Sequence, residues 1–120
     1  HYGDPNAPRG PHRVGDVIEA PVATAEILGR RVSCAGGGWF RAAPYVLSKN
    51  LLDRASASLK GPAIFYLHPW EIDPRQPRID AAPWKSKLRH YVNLGAMEKK
   101  LARLLGAYQW MRVDTALGLA

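Results

Sequence analysis

One cysteine, Cys34, and two methionines are all the sulfur this 120-residue chain carries. A lone cysteine excludes an internal disulfide framework and any zinc site built on cysteine clusters. Beside Ala35 and the glycines, with no cation or helix N-terminus to lower its pKa, it reads as a small buried apolar residue. No apolar run approaches the roughly 18 residues of a membrane span, and no charged leader with an apolar core precedes the rest. Ser33, Ser48, Ser56, Ser58 and Ser86 all lack a G-x-S-x-G context. Gly36-Gly37-Gly38 lacks both the following Lys-Ser/Thr of a phosphate loop and the G-x-G-x-x-G spacing of a dinucleotide site. Acids are scarce too: 10 against 17 lysines and arginines, a formal charge of +7. Such a surface favours anionic partners. The cations are spread through loops and one helix with no nucleic-acid motif around them, so nucleic acid is not the expected partner.

What the chain does have is apolar content, 47% hydrophobic, enough for globular material. Residues 1–13 hold three prolines and two glycines and read as a surface connection. Residues 17–23 predict a short strand broken near Pro21, and 31–34 a second, with 24–28 undecided between them and closed by Gly29. The glycine triplet then predicts a turn in which backbone can approach another group closely. A helix is expected over 44–59, with Pro44 in its first turn and Val46, Leu47, Leu51 and Leu52 as its apolar stripe. Gly61-Pro62 stops it.

Residues 63–67 have the length and punctuation of a buried strand. A loop holding Pro69, Pro74, Pro77 and Pro83 follows and should be stiff. Residues 84–91 fit a short helix or ordered coil. Residues 94–105 carry Met97, Leu101, Leu104 and Leu105 at helical spacing, with Asn93 as N-cap and Gly106 as stop. Alternation over 108–113 predicts a last strand, and Asp114 or Thr115 a cap for a terminal turn. Strand, helix, strand, helix, strand is an α/β order.

Function concentrates where 63–67 ends, in Phe65-Tyr66-Leu67-His68-Pro69-Trp70-Glu71-Ile72-Asp73-Pro74. In α/β folds chemistry gathers at the carboxyl ends of strands. An imidazole there can act as general acid or base near neutral pH, or simply tie down the loop. Glu71 can orient His68 by accepting a hydrogen bond. Trp70 offers a flat face suited to a pyranose ring, or packs beneath the loop. Trp39, Phe40 and Arg41 edge a groove on one reading and enter the core on the other.

This run through Arg78, with Ala35-Gly36-Gly37-Gly38-Trp39-Phe40-Arg41, Pro44-Tyr45, residues 88–94 and the opening Tyr2-Gly3-Asp4-Pro5, resembles the C-terminal region of bacterial polysaccharide deacetylases. The likeness is to the NodB-homology type (carbohydrate esterase family 4), in its exosortase-associated branch from exopolysaccharide loci. It runs over nearly the whole chain. It implies the distal part of a distorted (β/α) barrel over residues 1–68, incomplete here, and a branch-specific extension over 69–120. It implies hydrolysis of N-acetyl groups on amino sugars of an acetylated polysaccharide, with His68 as general acid. Glu71 would be its orienter, and Trp70, Tyr66, Trp39 and Arg41 would contact substrate. Tyr66 departs from the family outside this branch, where leucine at that position lines the acetyl pocket.

The resemblance also implies a divalent metal, commonly zinc, held by an Asp and a His-x-x-x-His pair. His1, His12, His68 and His90 include no such spacing, so the Arg-x-Pro motif that follows the metal site in the family has no such pair to follow here. No metal ligand is therefore expected in this chain. The ligands and the base would lie upstream, the chain alone would be inactive, and missing strands would leave an apolar seam. A non-catalytic glycan-binding module using Trp70, Trp84 and the basic loop, or a pseudoenzyme, is the competing reading.

Overall fold

A computed structural model describes Asp4 and residues 6–119. His1, Tyr2, Gly3 and Pro5 of the opening motif lie outside the described residues. Two antiparallel hairpins come first. Strands β1 (His12–Val14) and β2 (Val17–Glu19) pair His12 with Glu19 and Val14 with Val17. Strands β3 (Thr24–Ile27) and β4 (Arg30–Ser33) pair Ala25 with Val32 and Ile27 with Arg30. The undecided stretch is thus a strand, and its two-residue turn is Leu28-Gly29, both at positive φ (50° and 73°). That is the twist a tight hairpin demands.

Helices α1 (Gly37–Ala42) and α2 (Tyr45–Ser58) follow at once. The glycine triplet, expected as a turn, instead enters and opens α1. Pro44 stands just before α2 rather than inside its first turn. The stripe expected on α2 is also shifted. Val46 and Leu47 are exposed, while Ser48, Leu52 and Ala55 are buried and Tyr45 and Leu59 pack beside them. Spacings of three and four still define the face; a buried serine hid its phase from a hydrophobicity reading.

Residues 63–67 are extended but do not form a full buried strand. They pair only at two parallel bridges, Ile64 with Val22 and Tyr66 with Gly36. Ala23 N–H donates to Ile64 at 2.9 Å, Tyr66 N–H to Ala35 at 3.0 Å, and Gly37 N–H to Tyr66 at 3.0 Å. Ile64 and Tyr66 are two apart, so these bonds leave one and the same edge. The β3–β4 hairpin is an excursion between the two stretches that line it.

A 3-10 turn (Pro69–Ile72), α3 (Trp84–Tyr91), α4 (Leu94–Ala107) and α5 (Val113–Ala116) complete the chain. α4 passes through Gly106 instead of stopping there. Asn93 occupies the N-cap position in left-handed conformation, but its side-chain amide donates to the Arg41 carbonyl at 2.9 Å instead of capping. The strand expected over 108–113 is absent. Tyr108 turns its hydroxyl to Asp53 at 2.7 Å and the Trp110 indole N–H bonds the Leu105 carbonyl, so the alternating side chains serve packing with no ladder partner alongside. The observed architecture is a small α/β arrangement of two two-stranded antiparallel sheets and five α-helices among the described residues.

The core is built on Phe40, fully buried and edge-to-face with Phe65 (5.5 Å) and Tyr45 (6.4 Å). Small side chains, Ala23, Ala25, Ala35 and Ala55, let the hairpin approach α2, and Met97 and Leu104 close it from α4. Cys34 lies inside, its thiol pushed up in pKa chiefly by burial, which fits an inert packing residue. Lys100 of α4 donates to the carbonyls of Phe40 and Ala43 and so satisfies the C-terminal end of α1. Burial holds its pKa below the ordinary lysine value.

Candidate functional site

Glu71 is the anchor of the site. The Pro69–Ile72 turn places its carboxylate at 2% exposure, where one oxygen accepts the His68 main-chain N–H at 2.8 Å. The other meets the Arg41 guanidinium at 3.3 Å. An N-cap residue whose N–H is held by the acid three positions on is the reciprocal half of a capping box. The expectation that Glu71 orients His68 needs correcting in this respect: its carboxylate fixes the main chain of His68, and its oxygens go to that N–H and to Arg41 rather than to the imidazole. Gly37 makes room for the carboxylate. A Cβ there would sit 2.0 Å from Glu71 Oε2, a spacing no side chain tolerates.

Arg41 is equally enclosed, at 1% exposure. Besides Glu71 it donates to the carbonyls of His90 (2.6 Å), Val92 (3.3 Å) and Arg89 (3.3 Å), the free carbonyls at the end of α3. This burial argues against the expected contact with substrate. The guanidinium instead ties α1, α3 and the His68 turn together. Desolvating such a pair is costly, and its geometry is tolerated only because nearly every polar atom is partnered.

Around this ion pair the aromatics stack. The His68 ring lies parallel to Trp70 (5.5 Å, 9°) and edge-on to Tyr66 (5.5 Å). Trp70 stacks on His90 at 4.2 Å, with the Arg41 guanidinium 5.2 Å from its ring. Trp70 is therefore half-buried and already engaged with protein groups, which argues against it as an open sugar platform. Of the aromatics expected to meet substrate, Tyr66 (47%), beside His68, and Trp39 (61%), in α1, are exposed. Tyr66 also covers Gly36, where an added Cβ would meet its ring at 3.2 Å. His68 itself is exposed. A rigid main chain carrying a solvent-facing imidazole is what proton transfer to an outside group requires.

His90 and Gln76 belong to this cluster and were not singled out from sequence. Gln76 donates its amide to the Trp70 carbonyl at 2.7 Å, and its side-chain oxygen lies 2.8 Å from His90 Nε2. In that orientation the amide oxygen accepts, so Nε2 of His90 carries the proton. The signal was the histidine's position in the resemblance string; nothing in spacing alone links it to Trp70. For a metal, the residues do not fit. No three His, Cys, Asp or Glu side chains converge among the described residues. Nor is any helix long and apolar enough to cross a membrane.

Residues 1–118 match the family described as Domain of unknown function (DUF3473). The chain belongs to this family. DUF3473 is known as the C-terminal part of polysaccharide deacetylases. No curated protein and no solved structure matches the chain. The Glu71–Arg41 anchor, His68 and the aromatic stack are thus features of one DUF3473 domain, linked to polysaccharide deacetylation at the level of the family.

Proposed function

We propose that this DUF3473 domain completes the active site of a metal-dependent polysaccharide N-deacetylase, with His68 as the general acid. The observation that carries the reading is an exposed imidazole on a main chain pinned by the buried Glu71–Arg41 pair. In this proposal residues 1–68 continue a distorted (β/α) barrel begun upstream, and 69–120 form the branch-specific extension. The substrate is an acetylated amino-sugar polymer of an exopolysaccharide or the cell envelope.

The protein's own task is proton delivery. When an acetamide is hydrolysed, the C–N bond breaks and the nitrogen must leave as a neutral amine. His68 donates its ring proton to that nitrogen as the bond breaks, giving free amine and acetate. In this reading Tyr66, beside His68, and Trp39, exposed on α1, contact the sugar. A divalent metal, zinc in this reading, held by residues outside this chain, would polarise the carbonyl and lower the pKa of the attacking water. Without those partners the domain alone turns over no substrate.

The test is His68→Ala in the full-length protein, assayed on an N-acetylglucosamine oligomer. General acid–base groups contribute about 10²–10⁴-fold, so turnover should fall by that factor with oligomer binding retained. Activity within twofold of the parent sinks the assignment. If no full-length form deacetylates any amino sugar and exposed tryptophans alone govern binding, the non-catalytic glycan-binding reading takes its place.

A further inference from the structure

A groove of about 650 Å³ lies between the loop at 78–80 and α3, away from His68. Its walls are fixed from both sides. The Tyr91 hydroxyl accepts the Ile79 N–H at 3.0 Å and donates to the Pro77 carbonyl at 3.3 Å, and Lys87 Nζ donates to the Asp80 carbonyl at 2.6 Å. A volume of this order suits one or two sugar rings. Trp84, at the start of α3, lines the groove and is 69% exposed. Its indole is not needed for the core cluster, which it does not touch.

Cations rim this groove. The Arg78 guanidinium lies over the Tyr91 ring at 5.0 Å, Lys85 Nζ lies over one face of the Trp84 ring at 5.6 Å and leaves the other free, and Lys87 lines the groove. Asp80 is the acid that lines it against them. An exposed indole suits the C–H face of a pyranose, and arginine and lysine beside it suit a carboxylate. The groove is joined to His68 along one wall: Tyr91 meets His90 edge-on at 4.6 Å, His90 stacks on Trp70, and Trp70 lies parallel to His68.

We propose that the Trp84 groove is a subsite for a carboxylate-bearing sugar, and that the glycan presented to His68 is therefore an anionic polysaccharide. The link to His68 rests on the deacetylase reading; the subsite does not. Trp84 supplies the stacking face, and Arg78 and Lys85 supply the charge. Remote contacts of this kind hold a polymer in register with the reacting acetamide.

Two oligosaccharides test it by calorimetry on this chain: a hyaluronan octasaccharide, alternating glucuronate and N-acetylglucosamine, and uncharged chitohexaose. The anionic oligomer should bind at least tenfold more tightly, weakening with salt. Trp84→Ala should cost tenfold or more with the far-UV spectrum unchanged. Arg78→Gln with Lys85→Gln should bring the two oligomers to similar affinity. Equal binding of both by the parent chain overturns the proposal, as does an unchanged Kd in Trp84→Ala. So does a thymidine oligonucleotide of equal charge that matches the octasaccharide and is indifferent to Trp84, since that marks a general polyanion surface. His68→Ala separates the two readings. Loss of its turnover alongside a Trp84→Ala protein with unchanged KM leaves the acid and removes the subsite. Trp84-dependent anion binding alongside full His68→Ala turnover does the reverse.

Discussion

Both oxygens of Glu71 are spent inside the protein, one on the His68 N–H and one on Arg41. Neutralising the acid strands a guanidinium that is itself almost wholly buried. Breaking a buried ion pair by removing one partner costs about 3–5 kcal/mol, so Glu71→Gln should lower stability by roughly that amount in urea unfolding. Gly37→Ala should act on the same pocket, because the added methyl and the carboxylate cannot share it. If the Gly37→Ala and Glu71→Gln losses add fully in the double variant, the two residues do not share one seat. Three residues of sequence separation point Glu71 at the His68 ring. The true partners were a neighbouring main-chain N–H and an arginine from α1. Spacing along a chain reveals the first kind of contact at best, and tertiary ion pairs not at all.

At the scale of elements, the β3–β4 hairpin shows where local chemistry and structure disagree. Leu28 sits at φ 50° with its side chain exposed, so nothing packs it in place. A non-glycine residue in that conformation costs about 1–2 kcal/mol, and asparagine relieves part of it. Leu28→Asn should therefore raise stability by about 0.5–1 kcal/mol, read as a higher denaturation midpoint with unchanged slope. A lower midpoint would mean Leu28 makes contacts the hairpin needs. The same turn explains why residues 24–28 stayed undecided: leucine is a poor signal for a tight turn, although Gly29 is a good one. Long periodic segments were more legible. Both 14-residue helices, α2 and α4, emerge within a few residues of their expected ends, because amphipathic spacing is local. The 108–113 strand failed for the opposite reason. Alternation is necessary for a half-buried strand, but a ladder also needs a free neighbour, and that is a property of the assembled fold.

For the whole molecule the telling feature is a strand segment bonded on one edge only. Ile64 and Tyr66 send their main-chain bonds toward residues 22–23 and 35–37. Ala63, Phe65 and Leu67 point theirs the other way, and no main-chain partner meets them among the described residues. Pro62, Ala63, Ile64 and Phe65 also line a groove of about 480 Å³ with Trp110 and Met111, both exposed. Exchange with deuterium distinguishes the two edges directly. The Tyr66 amide, held by the Ala35 carbonyl at 3.0 Å, should be protected, while its immediate neighbours Phe65 and Leu67 exchange at least tenfold faster. Any assembly that adds a strand here must reverse this, because a new ladder would engage the Phe65 N–H and leave the Tyr66 bond as it was. Slow exchange at Phe65 in the isolated, monomeric chain would mean that this edge is already closed.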